Sequence, residues 1–304
     1  MSSSSLDEDD TIDGGAGADK LTLTASGNAF ASVTDSTTET LAVSNIETLA
    51  LTTGAASDAI DFDLFASPTD FTKVEITSTA DAATLTLTDI QTSHVSIRNT
   101  NDGTSADVIA AVTYDLKDST GTADAVTFDL INRDVDADLV ITTLTAAGIE
   151  TATFNTTGGT HDDIAVSTLT MTSLETLTIT GDADLTLPAF STTVETVTAG
   201  TTSGDLSLTF AGADTTVTTG SGADTLAYGT SLDGSDTIDG GSGTDTLTAS
   251  NLNDGSTKNI DLDISNIERF TYAETSDSDS AITFDFNGDV ISRLTVTAEA
   301  AADK

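Results

Sequence analysis

The chain has 304 residues, and 50 Asp and Glu residues against 9 Lys and Arg residues give it a formal net charge of −41. Because nucleic-acid phosphates and anionic membrane surfaces would repel this charge, we expect no nucleic-acid partner and no docking on such a membrane. Cysteine is absent, which excludes disulfides and thiolate metal sites, and no apolar run is long enough for membrane insertion.

The first segment, residues 1–24, is rich in Gly and Asp and is predicted to form tight turns. Within it, residues 14–22 fit the nonapeptide G-G-x-G-x-D-x-U-x, in which U is a large aliphatic residue. The glycines allow the backbone to turn so tightly that carbonyl oxygens face inward, the Asp adds a carboxylate oxygen, and the aliphatic residue enters the core of a short strand. The candidate metal ligands in this segment are Asp10, Gly14, Gly15, Gly17 and Asp19.

The second segment, residues 25–218, is a Thr-rich region that repeats one kind of strand start. An aliphatic residue is followed by Glu, usually by Thr, and then by an alternating β pattern. Neighbouring copies, where they are recognisable, are roughly 20 to 28 residues apart, which is the length of one turn of a parallel β-solenoid. The copies, including one beyond residue 218, begin at Ile46, Val74, Ile149, Leu174, Val194 and Ile267.

Alternation along these strands sends the apolar side chains to one face and the Thr, Asp and Glu side chains to the other. A β-sandwich would show the same alternation, but its hairpins need two-residue turns of the Asn-Gly or Asp-Gly type. Such pairs between successive strands are few, examples being Asp102-Gly103 and Asn287-Gly288. We therefore predict an all-β fold, a right-handed parallel β-solenoid with calcium-binding turns.

The third segment, residues 219–250, repeats the opening block. Residues 231–250 are identical to residues 5–24 at 13 of 20 positions, and the sequence SNIE follows each block about two dozen residues later. Residues 251–304 continue the coils, so that all four segments form one continuous rod-like domain. The candidate ligands here are Gly220, Ser221, Gly222, Asp224, Gly234, Asp236, Gly240, Gly241, Ser242, Gly243 and Asp245.

Carbonyl and carboxylate oxygens are ligands that suit Ca²⁺ and disfavour zinc or copper. The Gly-Asp blocks resemble the RTX repeats of proteins exported by type I secretion. This resemblance implies a Ca²⁺ between one repeat and the next but one, held by backbone carbonyls of both Gly-rich turns and by the Asp of each. Carried over to this chain, Asp224 with the carbonyls of residues 220–222 faces Asp245 with those of residues 240–243, and Asp236 faces the opposite edge.

The mixture of RTX boxes with Thr-rich strands resembles the carboxy-terminal, lattice-forming part of Ca²⁺-dependent S-layer proteins from Gram-negative bacteria. The resemblance implies a structural protein without enzymatic activity, exported by type I secretion without a Sec signal peptide and located outside the cell. It implies that Ca²⁺ is needed for folding and for self-assembly at the cell surface. A cell-surface polysaccharide is a further partner that this interpretation leaves open.

Two other interpretations stay open. The chain could be the calcium-folded secretion and stability module of a larger exported enzyme, or a spacer of an RTX adhesin. The start inside a degenerate repeat and the stop at Ala300 to Lys304 suggest an excised part of a longer protein. No G-x-S-x-G, Walker or H-E-x-x-H motif occurs, and His161-Asp162-Asp163, where an imidazole meets carboxylates, is not expected to be catalytic.

Overall fold

The computed structural model describes most of the chain. The described residues are 10–24, 40–53, 57–78, 83–99, 107–134, 137–158, 163–212, 214–252, 258–274, 282–286 and 291–298. His161 and the pairs Asp102-Gly103 and Asn287-Gly288 lie outside these ranges. Within them, no helix is long and apolar enough to cross a membrane.

Short β-strands make up nearly all of the regular structure, and two single 3-10 turns lie at Phe62–Leu64 and Pro68–Asp70. The strands are β1 Thr11–Asp13, β2 Lys20–Thr24, β3 Ala42–Ser44, β4 Thr48–Thr53, β5 Ser57–Asp61, β6 Lys73–Ser78, β7 Ala83–Ile90, β8 His94–Arg98, β9 Asp107–Leu116, β10 Ala125–Ile131, β11 Leu139–Ala146, β12 Thr151–Thr157, β13 Ile164–Thr170, β14 Thr176–Gly181, β15 Leu185–Ala189, β16 Thr196–Thr198, β17 Leu206–Thr209, β18 Thr216–Thr218, β19 Thr225–Gly229, β20 Thr237–Asp239, β21 Thr246–Ser250, β22 Lys258–Asp261, β23 Asp263–Ser265, β24 Arg269–Glu274, β25 Ile282–Asp285 and β26 Arg293–Ala298.

The chain divides into two compact units, Met1–Ser173 and Leu174–Lys304. In unit 1 the first sheet has the strand order β2-β4-β6-β8-β10-β12, the second sheet has the order β5-β7-β9-β11-β13, and β1 pairs with β3. In unit 2 the first sheet has the order β14-β16-β18-β20-β23, the second has the order β15-β17-β19-β21-β24-β26, and β22 pairs with β25.

Within each unit the chain therefore alternates between two sheets, and each strand pairs with the one in the next coil. All of these pairings within the units are parallel. Parallel neighbours need a crossover rather than a hairpin. The predicted all-β parallel solenoid is confirmed, and the sandwich alternative is wrong for the described strands.

Columns of apolar side chains fill the interior between the two sheets of each unit. In the first sheet of unit 1, one inward column is made of Leu49, Val74, Val95, Phe128 and Phe154, which are in register and fully buried. The alternation read from the sequence places these residues inside because successive side chains of a strand point to opposite faces. Thr, Asp and Glu occupy the outer face.

In four of its six copies the aliphatic-Glu-Thr motif marks the corner where the chain enters the first sheet. The copy at Val74 lies within β6, and the copy at Ile267 precedes β24 of the second sheet. Thr48, Thr151, Thr176 and Thr196 each begin a strand. The aliphatic residue two positions earlier is buried in each case, at Ile46, Ile149, Leu174 and Val194. The motif therefore supplies a buried residue that anchors the corner and a Thr that begins the strand, and the Glu between them is left at the surface edge of the turn.

The boundaries that the sequence analysis places between the four segments, at residues 24, 218 and 250, stay predictions.

Candidate metal centre

The two repeated Gly-Asp blocks fold into the same turn. In the first block Asp13 Oδ1 accepts hydrogen bonds from Gly15 N at 3.0 Å and from Asn45 Nδ2 at 2.7 Å. Asn45 belongs to the SNIE sequence of the following coil, so its hydrogen bond joins the Gly-Asp turn to that coil. The same two bonds, at 3.0 and 2.7 Å, recur in the second block at Asp239, Gly241 and Asn266.

Glycine is required where the turns of successive coils touch. Gly241 has a φ of +77° and Gly243 a φ of +143°, and a Cβ on either would lie only 2.2 or 2.0 Å from the carbonyl oxygen of Gly220 or Gly222. Ser242 N donates a hydrogen bond to Gly220 O at 2.8 Å. The turn at 240–243 therefore lies directly against the turn at 220–222, which are the two turns that the sequence pairs.

Asp224 and Asp245 each use one carboxylate oxygen to accept a backbone N–H from the preceding coil. Asp245 Oδ1 accepts a hydrogen bond from Asp224 N at 2.7 Å, and Asp224 Oδ1 accepts one from Leu206 N at 2.8 Å. Both residues are 0% exposed, and the second oxygen of each, Oδ2, is buried without a hydrogen-bond partner. Half of the acceptor capacity of two buried carboxylates is thus left unused.

Burial raises the pKa of both carboxyl groups. Burial raises the pKa of Asp224, although the hydrogen bond from Leu206 N acts to lower it. The pKa of Asp245 rises to about 6, because burial and the negative charge of Asp224 outweigh the hydrogen bond from Asp224 N. The buried site therefore disfavours ionised carboxylates, and a cation would relieve that cost.

A Glu from the next coil completes each turn, which the sequence interpretation missed. Asp245 N donates to Glu268 Oε2 at 2.8 Å. In the first block Asp19 N donates to Glu47 Oε2 at 2.7 Å. Both Glu residues stand in the SNIE sequence, and we call such a Glu a clip. The recurrence of SNIE after each block was the signal that could have revealed it.

A third turn of the same construction lies between β9 and β10 in unit 1. Asp118 Oδ1 accepts from Thr120 N at 3.2 Å, and Asp124 N donates to the clip Glu150 Oε2 at 2.9 Å. Its two Asp residues have the same spacing as the pairs Asp13 and Asp19, and Asp239 and Asp245. The sequence concealed this turn because it has a single glycine, Gly121.

The remaining predicted ligands have different surroundings. Asp19 and Asp124 each have a buried Oδ2 without a hydrogen-bond partner, as Asp224 and Asp245 have. Asp236 lies on the opposite edge, where Oδ1 accepts from Thr215 N at 2.9 Å and Oδ2 accepts from Asp233 N at 3.0 Å. Asp236 thus uses one oxygen within its own turn, which contains Gly234, and the other to accept from the preceding coil. Asp10 is half-buried just ahead of β1.

Within the described residues, no group of three or more His, Cys, Asp or Glu side chains is arranged to hold a metal ion. A cation in the stacked turns would therefore depend on backbone carbonyl oxygens in addition to Asp224 and Asp245. The two carboxylate oxygens without hydrogen-bond partners and the main-chain carbonyl oxygens of the two turns are hard donors of the kind that Ca²⁺ binds, so the residues present fit this ion. Comparison of the chain with protein-family models, with curated proteins and with solved structures gives no match.

Proposed function

We propose that this protein is a calcium-dependent structural protein of the cell surface, an S-layer lattice subunit or part of one, that folds and self-assembles with Ca²⁺. The observation that carries the proposal is the pair of buried Oδ2 atoms of Asp224 and Asp245, which lack hydrogen-bond partners inside stacked glycine turns. Leaving buried carboxylate oxygens unpaired is costly, and a divalent cation offsets that cost.

The groups that would hold the ion are the Asp224 and Asp245 carboxylates and the carbonyl oxygens of residues 220–222 and 240–243. Ca²⁺ accepts many oxygen ligands in flexible geometry, which suits a set made mainly of main-chain carbonyls. By analogy, the equivalent turn at Asp19 is a second place for Ca²⁺, whereas Asp236 already uses both oxygens in hydrogen bonds.

The net charge supports assembly that depends on a divalent cation. With 50 acidic and 9 basic residues, two copies repel each other over most of their surfaces, and Ca²⁺ reduces that repulsion. We further propose export by type I secretion, a location outside the cell, a structural rather than catalytic role, and a cell-surface polysaccharide as a second partner.

Light scattering during a Ca²⁺ titration, with Mg²⁺ as the control ion, tests this function. We expect Ca²⁺ to raise the scattering mass of the natural protein and Mg²⁺ to leave it nearly unchanged. The double variant Asp224→Ala plus Asp245→Ala should lose this response. The matched control Asp261→Ala plus Asp263→Ala removes the same charge from exposed positions of unit 2 and should keep it.

Circular dichroism with and without EGTA separates folding from assembly. We expect chelation to lower the melting temperature of the natural protein more than that of the double variant. A folded protein that stays monomeric at saturating Ca²⁺ would argue against a lattice subunit and favour the secretion module of an exported enzyme. Insensitivity of both β content and melting temperature to EGTA would refute the calcium site itself.

A further inference from the structure

The outer face of the first sheet in unit 1 collects positive charge, which is scarce in this chain. The six strands of that sheet contain only two carboxylates, Glu75 and Asp129, and three basic residues, Lys20, Lys73 and Arg98. The whole chain, by contrast, has 50 acidic residues against 9 basic ones. With histidine neutral, these strands therefore carry a formal charge of +1 in a protein of net charge −41.

Asp129 is the centre of a first cluster of polar side chains on this face. Its Oδ2 accepts a hydrogen bond from Lys73 Nζ at 2.9 Å and lies 2.7 Å from His94 Nε2. Its Oδ1 accepts a hydrogen bond from Asn155 Nδ2 at 2.9 Å. One carboxylate oxygen thus serves both a lysine and a histidine, which holds two basic groups side by side.

Glu75 is the centre of a second cluster. Its Oε2 contacts Lys20 Nζ and lies 3.4 Å from Arg98 Nη2, whereas Arg98 Nε donates to Thr77 Oγ1 at 2.8 Å. In this cluster too, one carboxylate oxygen is shared by two basic groups. Burial acts to raise the pKa of Glu75 and of Asp129, but the neighbouring hydrogen bonds and basic groups outweigh burial and lower both. Positive charge therefore prevails around both carboxylates.

The basic groups keep N–H donors that no described residue accepts. A lysine ammonium has three donors and an arginine guanidinium five. Among the described residues, Lys20 and Lys73 each contact one acceptor, and Arg98 contacts two. All three side chains are partly exposed, so a ligand in solvent reaches the remaining donors. Charged donors of this kind bind carboxylates strongly, and arginine binds them in a bidentate manner.

The two clusters are separated by a fixed interval along the sheet. Glu75 on β6 and Asp129 on β10 are both in register with Ser96 on β8, the strand between them. Because neighbouring strands are about 4.8 Å apart, the two cluster centres are about 9.6 Å apart. Ser96 is small and buried, so no long side chain stands between the clusters in that row. A single anion occupies only one cluster, whereas an oligomer with acid groups at intervals reaches both.

We propose that this face binds an acidic polysaccharide, with uronic acid carboxylates at the two clusters. One carboxylate contacts Lys73 and His94, and another contacts Lys20 and Arg98. The inference rests on the proposed polysaccharide partner, whose chemical class and binding face it names, and it does not use the calcium site.

The composition of the face suits a charged rather than a neutral polysaccharide. The aromatic residues of the six strands, Phe128 and Phe154, are fully buried, so these strands offer no ring for stacking against a sugar. At physiological ionic strength, charges more than about 8 Å away are largely screened. An acid group at either cluster therefore responds mainly to the basic side chains beside it rather than to the carboxylates of the rest of the molecule.

Binding of a labelled hyaluronan hexasaccharide, measured by fluorescence anisotropy at saturating Ca²⁺, tests the proposal. The uronic acid groups of this oligomer occur on every second sugar, whereas a chitin hexasaccharide is neutral and free glucuronate is a single anion. We expect the natural protein to bind the hyaluronan oligomer, and NaCl to weaken the binding. The two control sugars, as competitors, should bind at least about tenfold more weakly.

Paired variants test whether the basic side chains of the two clusters hold the sugar. Lys73→Gln plus Arg98→Gln removes one basic group from each cluster and should weaken binding at least about tenfold. Lys73→Arg plus Arg98→Lys keeps both charges and should retain most of the affinity. The matched control Lys117→Gln plus Arg269→Gln removes the same charge from exposed positions outside these six strands and should bind as the natural protein does.

Glu75→Gln provides a test that loss of folding cannot imitate. The substitution removes the carboxylate that Lys20 and Arg98 share, so both basic groups become free for the ligand. We therefore expect this variant to bind the hyaluronan oligomer more tightly than the natural protein does. Circular dichroism checks the β content of every variant.

The proposed site and the proposed lattice function can fail separately. A natural protein that does not bind the hyaluronan oligomer overturns the site, and so does equal weakening in the Lys73 and Arg98 glutamine variant and in its matched control. Undiminished binding in that glutamine variant overturns the site as well and leaves the sugar bound elsewhere. Ca²⁺-dependent scattering, measured without sugar, decides the lattice function whatever the sugar binding shows.

Discussion

Buried carboxyl groups are the residues that most distinguish this molecule, and Asp58 is the extreme case. It lies on β5 with its side chain turned inward, 2% exposed, and neither of its oxygens has a hydrogen-bond partner. Its neighbour in register is Leu85. Burial therefore raises the pKa of Asp58, and no neighbouring cation opposes the rise.

The pH dependence of stability follows from this shift. Because the folded-state pKa of Asp58 is raised, its contribution to stability is fully present below the ordinary carboxyl pKa and is lost as the pH rises through the folded-state value. We expect Asp58→Asn to flatten this loss and to raise the free energy of unfolding at neutral pH, where the natural carboxyl group must ionise in a buried position. Urea unfolding of the natural protein and of Asp58→Asn, repeated from acid to neutral pH, measures the free energy of unfolding of each.

The control for this experiment is Asp115→Asn, which changes an exposed carboxylate on the outer face of β9, two strands away from β5 in the same sheet. Its unfolding free energy should follow that of the natural protein at every pH. Parallel pH profiles for Asp58→Asn and the natural protein would show that the Asp58 carboxyl group finds solvent or a partner when it ionises.

At the scale of secondary-structure elements, the clip glutamates provide the main contacts that hold the corners between strands. The clips Glu47, Glu150 and Glu268 each accept the backbone N–H of an Asp in the preceding coil. Glu195 occupies the same place in the aliphatic-Glu-Thr motif but is exposed, and its carboxylate has no hydrogen bond with a described residue. Identical motifs thus hold different contacts, according to what the neighbouring coil presents.

This difference predicts unequal costs for the same substitution. We expect Glu150→Ala to lower the free energy of unfolding by about 1 to 3 kcal/mol, because it leaves the half-buried N–H of Asp124 without an acceptor. Glu150→Gln keeps an oxygen that can accept the bond and should recover much of the loss. Urea unfolding of the whole protein and of each variant measures the free energy of unfolding.

The matched control is Glu195→Ala, which should change stability by no more than about 0.5 kcal/mol, the usual range for surface substitutions. Since Glu150 lies outside the glycine-rich blocks, its effect should persist in EGTA. Equal losses for Glu150→Ala and Glu195→Ala would mean that the motif acts through strand propensity rather than through the clip.

At the scale of the whole molecule, the main feature is the excess of negative charge. Four described cations are paired across coils in unit 1, where Lys20 and Arg98 contact Glu75, Lys73 contacts Asp129 and Lys117 contacts Asp63. These few bridges leave a net charge of −41 that repels itself throughout the folded state. Counter-ions must therefore contribute to stability.

We expect the melting temperature measured in EGTA to rise when NaCl is added, because screening weakens the repulsion between carboxylates. With Ca²⁺ present the same addition of NaCl should have a smaller effect, since bound divalent ions already neutralise part of the charge. Thermal melts at low and high NaCl, with and without Ca²⁺, measure both. A melting temperature that falls with NaCl in EGTA would show that the cross-coil ion pairs outweigh the repulsion.

Much of the architecture could be predicted from local sequence patterns. The alternation of apolar and Thr side chains determines which face of each strand is buried, and the spacing of the aliphatic-Glu-Thr motif determines the length of a coil. The Gly-Asp blocks determine the tight turns, because only glycine tolerates the backbone of Gly241 and Gly243. These features depend on residues close to one another in the chain.

The tertiary structure alone decided which of these residues meet across coils. Clip and Asp are 28, 26 and 23 residues apart in the three turns, and no local pattern distinguishes Glu150, which is a clip, from Glu195, which is exposed. Val296 has the apolar character of a core residue, yet it is exposed because no further described strand lies beyond β26. Burial and pairing depend on what the adjacent coil supplies, and that is determined by stacking rather than by the strand itself.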